Sequence, residues 1–292
     1  MFDISIPALS GQLLIGLING SFYALLSLGL AVIFGLLNII NFTHGAQYMM
    51  GAFVAYFLAS KAGLGYWWAL LIVPVVVGAL GVAIERTMLS RLYKLDHLYG
   101  LLLTFGLALI FEGLFRQQFG SAGLPYSMPE QLQGVQNLGF MFLPNYRGWV
   151  IGASAVICIG TWLLIEKTKL GAYLRAATEN PKMVEAFGVN VPLMITLTYG
   201  FGVGLAALAG VFAAPIYQVS PQMGSSLIIV VFAVVVIGGM GSILGAVVTG
   251  FGLGIIEGLT KVFYPEASNT VIFVIMALVL LVKPAGLFGR AQ

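Results

Sequence analysis

Between Leu13 and Leu58 the chain carries no Asp, Glu, Lys or Arg. A helix needs roughly 20 apolar residues to cross a hydrocarbon core, so this one stretch holds enough chain for two crossings. Lipid offers no water to the backbone N–H and C=O groups, which leaves helices and closed barrels as spanning structures. Barrel strands alternate apolar and polar residues, and runs such as SSLIIVVFAVVVIGGM (225–240) do not. Charged residues make up 8% of the chain, against about 25% in soluble domains, so the solvent is largely lipid. The expectation is an all-α polytopic membrane protein forming a single transmembrane domain over residues 1–292.

Apolar runs place spans near 9–36, 46–60, 66–85, 97–116, 148–166, 192–214, 226–240, 243–263 and 269–283. Those at 226–240 and 269–283 are short for a full crossing and read as half-helices, tilted spans or re-entrant pieces, giving about 8–9 transmembrane helices. Glycine is abundant, 38 of 292 residues, and lies inside the apolar runs. Lipid gives helices no hydrophobic reason to associate, and small residues let backbones approach closely. The G-x-x-x-G spacings Gly16/Gly20, Gly200/Gly204 and Gly250/Gly254 therefore predict tight helix contacts. A faint internal repeat relates HGAQYMMGAFV (44–54) to GGMGSILGAVV (238–248). The single cysteine, Cys158, makes no internal disulfide, and a net charge of +3 does not suggest a nucleic-acid partner. The first residues lack the basic region of a cleavable signal peptide, so the first span is expected to stay in place.

Basic residues orient membrane helices by collecting on the cytoplasmic side. Arg86, Arg91, Lys94, Lys167, Lys169, Arg175, Lys182, Lys283 and Arg290 fall on one side of a nine-span chain; Lys61, Arg116, Arg147 and Lys261 fall on the other. The N-terminus is thus expected outside and the C-terminus in the cytoplasm. Segment 117–147, with its prolines and amides, becomes an extracytoplasmic loop.

Segment 171–191, GAYLRAATENPKMVEAFGVNV, is the longest polar cytoplasmic stretch. Asn180 is a good N-cap and Pro181 suits the first helical position. Gly188 can close the helix in a left-handed conformation. Met183 and Phe187 then stand one turn apart on one face of a helix of about two turns. So short a helix is marginal in water. It either lies on the bilayer surface or docks on a partner.

Four segments together, SLGLAVIFGLLNIINFTHGAQYMMGAF (27–53), RAATENPKMVEAFGVNV (175–191), VVIGGMGSILGAVVTG (235–250) and LVKPAGLFG (281–289), carry a resemblance over nearly the whole chain. The chain resembles the permease subunits of ABC importers of the branched-chain amino-acid (Liv) family, of the LivH type. The resemblance implies that Ala176–Gly188, including Glu179, Glu185 and Ala186, contacts an ATPase as a coupling helix. It implies a bacterial inner-membrane assembly with a second permease subunit (LivM type), two ATP-binding subunits and an extracytoplasmic solute-binding protein. The chain itself holds no G-x-x-x-x-G-K-[ST] phosphate-binding loop, so ATP and Mg are expected on the partner ATPases, with no cofactor bound here. Leucine, isoleucine and valine are the implied solutes, with urea, short amides or aromatic acids as alternatives within the family.

Asn38, Asn41, Thr43, His44 and Gln47 crowd into the uncharged opening stretch. Amides in hydrocarbon need protein, water or solute as partners. On a continuous helix Asn38, Asn41, His44 and Tyr48 share a face; if the helix breaks at Asn41–Thr43, Thr43 can cap the second piece and present its N–H groups to an anion. The cluster either lines a substrate pathway or links helices. By analogy with the family, Gly238, Gly239, Gly241 and Ser242 approach the same pathway from the other half. Glu112/Arg116 and Glu257/Lys261 have i,i+4 spacing, expected of helix-end pairs or of a docking point for a binding protein; Glu85, Arg86 and Arg91 are expected at the inner interface. His44, His97 and Cys158 form no metal-ligand spacing, and no set of catalytic groups points to an enzyme. A stand-alone channel or secondary carrier remains as the alternative class.

Overall fold

The computed structural model describes residues 6–37, 40–93, 95–139 and 141–289. Asn38, Lys94 and Arg290 therefore lie outside the described residues.

Among the described residues eleven α-helices follow one another: α1 (Ile6–Leu37), α2 (Thr43–Ala62), α3 (Tyr66–Thr87), α4 (His97–Phe119), α5 (Asn145–Lys167), α6 (Lys169–Glu179), α7 (Pro181–Ala186), α8 (Val191–Tyr217), α9 (Met223–Gly238), α10 (Ile243–Phe263) and α11 (Val271–Val282). Among the described residues α1, α3, α4, α5, α8 and α10 are long and apolar enough to cross a membrane. With 16 and 12 residues, α9 and α11 are the short elements that the apolar runs predict.

Glycine fixes the helix pairing. α1 and α10 run antiparallel, with Gly16 against Gly254 and Gly258, and Gly20 against Gly250 and Phe251. α3 and α8 pair the same way, Gly78 meeting Gly200 and Gly81 meeting Val203. Gly204 meets the Pro74 carbonyl. All three G-x-x-x-G spacings thus sit at backbone-to-backbone contacts, where a larger residue would separate the helices.

These contacts also set which ends share a side. Tyr217 Oη donates to Asn19 Oδ1 at 2.8 Å, and Tyr146 Oη donates to the Phe212 carbonyl at 2.9 Å. The end of α8 therefore lies beside the first half of α1 and the start of α5. At the opposite, tail end, Gly35 packs on Gly241. Leu287 and Phe288 N–H groups there bond the Ile237 and Gly238 carbonyls, at 2.8 and 3.0 Å. Among the described basic residues, Arg86, Arg91, Lys167, Lys169, Arg175, Lys182 and Lys283 cluster toward the tail end. Lys61, Arg116, Arg147 and Lys261 lie toward the head end.

Two elements begin inside the bundle. The start of α2 lies partway along α1, His44 beside Leu26 and Gly29, and α9 begins where Gly224 packs on Gly45. The 44–54 and 238–248 segments are not structural counterparts: the first is uninterrupted helix, and the second is the end of α9, a turn and the start of α10.

Segment 117–147 is not featureless. It contains a short 3-10 turn (Glu130–Leu132) and an antiparallel hairpin of β1 (Val135–Asn137) and β2 (Phe142–Pro144). Leu124 exchanges both backbone hydrogen bonds with Val219, tying the loop to the α8–α9 turn.

Candidate functional site

The polar cluster begins with a real break: α2 starts at Thr43, after a turn at Asn41–Phe42. Thr43 does not cap it. The cap position is Phe42, without a side-chain bond, and Thr43 Oγ1 instead donates to the Thr104 carbonyl of α4 at 2.8 Å. Thr104 Oγ1 accepts from Phe42 N–H at 3.2 Å, and its proton lies between the Leu101 carbonyl at 3.0 Å and the Ile40 carbonyl at 3.1 Å. The α4 hydroxyl thus satisfies backbone groups that the break releases, and an unsatisfied buried group costs about 1–3 kcal/mol.

Asn41, Thr43, His44 and Gln47 are each at most 1% exposed. His44 Nε2 lies 3.0 Å from the Leu26 carbonyl. A carbonyl only accepts, so that nitrogen carries the proton. Asn41 Nδ2 donates to Gln47 Oε1 at 3.3 Å. The Tyr199 hydroxyl of α8 lies beside the Asn41 and Gln47 amides. The cluster ties α2 to α1 and α4; its side chains are buried and do not line the cavity described next. Gly238 and Gly239 are equally buried: Gly238 packs on Gly245, and Gly239 packs on Gly286 and Gly289 of the C-terminal tail. Gly241 and Ser242 are half-buried, and Ser242 caps α10 through Gly245 N–H at 3.1 Å.

One residue further on, Tyr48 reaches an open cavity of about 470 Å³ where α1, α2 and the α8–α9 turn converge. Asn19, Tyr23, Tyr217 and Gln222 supply its polar wall, with Phe22, Met223 and Leu227 as apolar counterparts. Its volume falls in the range of small-ligand sites, roughly 300–1,000 Å³. Behind the wall stands Glu257 of α10, 5% exposed. Its carboxylate accepts from Tyr23 Oη at 2.7 Å and Asn19 Nδ2 at 3.2 Å, and it pairs with Lys261. Sequence spacing reads Glu257/Lys261 as a helix-end pair. The i,i+4 pair exists, but its acid is an interior group with three partners, as a buried charge requires. Glu112 and Arg116 do form a simple surface pair.

The tail end holds the second module. Asn180 Oδ1 accepts from Met183 N–H at 3.0 Å, Pro181 takes the first helical position, and Gly188 has φ 84°. Each local signal in the sequence does the work expected of it. Val184 roots α7 against Leu174, Ala177, Val191 and Met194. Met183 and Phe187 point away, 58% and 79% exposed. Ala176, Glu179, Glu185 and Ala186 are exposed around them.

Sequence reasoning missed how this module is braced. Glu85, expected at the inner interface, is not solvent-exposed. It is buried at the end of α3, accepting from Tyr93 Oη at 2.6 Å and from Thr196 Oγ1 of α8 at 2.7 Å. Burial, and then the Glu85 carboxylate beside it, hold the Tyr93 phenol well above its usual pKa, so it remains a neutral donor. The i,i+8 spacing of Glu85 and Tyr93 across a turn was the available signal; Thr196 gave none.

The model of the branched-chain amino acid transport system permease component matches residues 12–281. The high-affinity branched-chain amino acid permease protein LivH of Escherichia coli K12 is 30% identical over 298 residues, covering 96% of each chain. BraD of Pseudomonas aeruginosa is 30% identical over 294 residues, again 96% of each. A probable LivH of Methanocaldococcus jannaschii is 29% identical over 94% of this chain and 90% of its own. No solved structure matches the chain. A family match across nearly every helix, with the predicted glycine contacts and the capped α7 in place, leads to one conclusion: the chain is a multi-pass membrane protein belonging to the permease family of branched-chain amino acid transport systems.

Proposed function

We propose that this chain is one membrane-spanning subunit of an ATP-driven importer of leucine, isoleucine and valine, or of related small solutes. A related second permease (LivM type), two ATP-binding subunits and an extracytoplasmic solute-binding protein complete the assembly, with ATP and Mg held by the ATPases. The head end faces outward and the tail end, with most basic residues, faces the cytoplasm. Residues 171–191 then form the cytoplasmic coupling segment and 117–147 the extracytoplasmic loop.

One observation carries this reading: α7 is rooted by Val184 and leaves the apolar side chains of Met183 and Phe187 exposed. A helix this short does not hold by itself in water; as a lever gripped by a cytosolic subunit it has a purpose that a stand-alone channel would not give it. Ala176, Glu179, Asn180, Pro181, Glu185, Ala186 and Gly188 shape and surround that contact. In the membrane, the cavity at Tyr48 is the solute's passage. Asn41, Thr43, His44 and Gln47 act outside its lining by holding the α1–α2 break. The Gly238–Ser242 turn lets α9 and α10 shift against α1. Met183→Asp with Phe187→Asp should abolish co-purification of the ATPases while the permease pair still elutes as a folded complex. Undiminished co-purification would remove α7 from the coupling role.

A further inference from the structure

The cavity has a hydrogen-bond polarity that the family assignment does not supply. Glu257, ion-paired with Lys261, is an acceptor only, so the Tyr23 hydroxyl and the Asn19 amide must both donate to it. Asn19 Oδ1 in turn takes the proton of the Tyr217 hydroxyl at 2.8 Å. Across the cavity, Ser226 Oγ donates to the Met223 carbonyl at 3.2 Å. The hydroxyl protons of Tyr23 and Tyr217 are both committed to partners behind the wall, so at this wall each phenol has lone pairs to offer, while Tyr48, Ser220, Gln222 and Ser226 complete the polar lining. Lys261, the cation paired with Glu257, shares its Oε1 with Asn19 and does not line the cavity. A donating hydroxyl is polarised toward greater acceptor strength, and tyrosine rings add an electron-rich face for a cation.

We propose that this cavity is a binding site for a primary ammonium group, with Tyr23 and Tyr217 as its acceptors and Glu257 as the positioning residue that fixes their proton orientation. The inference rests on the importer reading and deepens it. Passing solutes carry their ammonium toward this wall, and their apolar side chains toward Phe22, Met223 and Leu227. A carboxylate placed at the Tyr23–Tyr217 wall meets lone pairs there and is disfavoured at that wall.

The test uses the reconstituted complete transporter in nanodiscs, with Ser226→Cys as reporter on the cavity wall. The native Cys158 is fully buried and gives little background. Labelling rates are compared for cationic aminoethyl and anionic sulfonatoethyl methanethiosulfonate, each normalised to its rate on a free thiol in solution. An ammonium-accepting wall should favour the cationic reagent by about tenfold, the scale of one hydrogen bond to a charged group. Glu257→Gln, which can donate where the carboxylate cannot, should collapse that ratio toward one. Tyr23→Phe should lower it independently if the Gln variant fails to assemble. Ethylammonium should protect the thiol and acetate should not. Equal or anion-favouring rates would overturn the site, and a ratio unchanged by both variants would overturn the role of Glu257. Nucleotide-driven leucine uptake by the wild-type assembly is measured alongside. Its absence would sink the importer reading, whereas uptake without the labelling preference would sink only the ammonium site.

Discussion

Two glycines of α10, two residues apart, allow a controlled test of the packing. A Cβ at Gly250 would stand 2.5 Å from both N and Cα of Ala24 in α1, whereas one at Gly252 meets nothing within 4 Å. Ordinary contact begins near 3.4 Å, so Gly250→Ala forces α1 and α10 apart by about 1 Å. That obstacle is backbone, which cannot rotate away. Overpacking of this kind costs about 1–3 kcal/mol. Both substitutions gain the same helix propensity, roughly 1 kcal/mol, so the difference between them isolates the clash. Gly250→Ala should be less stable than Gly252→Ala by roughly 1–3 kcal/mol, read from unfolding of the purified permease in mixed detergent micelles. Equal stability of the two variants would refute the antiparallel α1–α10 contact.

Gln218 adopts φ 63°, ψ 155° at the turn that ends α8, a region reserved almost wholly for glycine and costing about 1–3 kcal/mol. Gln218→Gly should therefore raise the thermal midpoint, and a lower midpoint would count against strain there. Thr104→Val strands the Phe42 N–H and should cost about 1–3 kcal/mol, with faster amide exchange at residues 40–44 as its local signature. Asn180→Ala removes the α7 cap, worth about 1 kcal/mol. It should speed exchange at Met183 and weaken ATPase co-purification without altering the membrane helices.

Much of this was legible because membrane helices report themselves locally. Apolar runs gave the spans, and the glycine pairs at Gly16/Gly20 and Gly250/Gly254 marked contacts, since close approach needs small residues whatever the partner. Asn180, Pro181 and Gly188 act within one short helix, and their roles followed from spacing. The polar cluster was harder. Asn41, His44 and Tyr48 keep helical spacing, yet the chain turns at Asn41–Phe42 because a distant hydroxyl, Thr104, stabilises the break. The burial of two acids was missed for the same reason. Glu85 and Glu257 sit near helix ends, where carboxylates are ordinarily solvated, and only the fold brings Thr196 to one and Tyr23 to the other. A cavity between Asn19 and Tyr217 likewise leaves no trace in a local pattern.

The account depends on this chain moving solute only when a separate motor drives it. Proteoliposomes containing the permease pair, loaded binding protein and radiolabelled leucine test this directly, with and without ATPase subunits and Mg-ATP. Accumulation should require both ATPase and nucleotide, and should vanish in the Met183→Asp, Phe187→Asp variant. Leucine accumulation at an undiminished rate with neither present would contradict it.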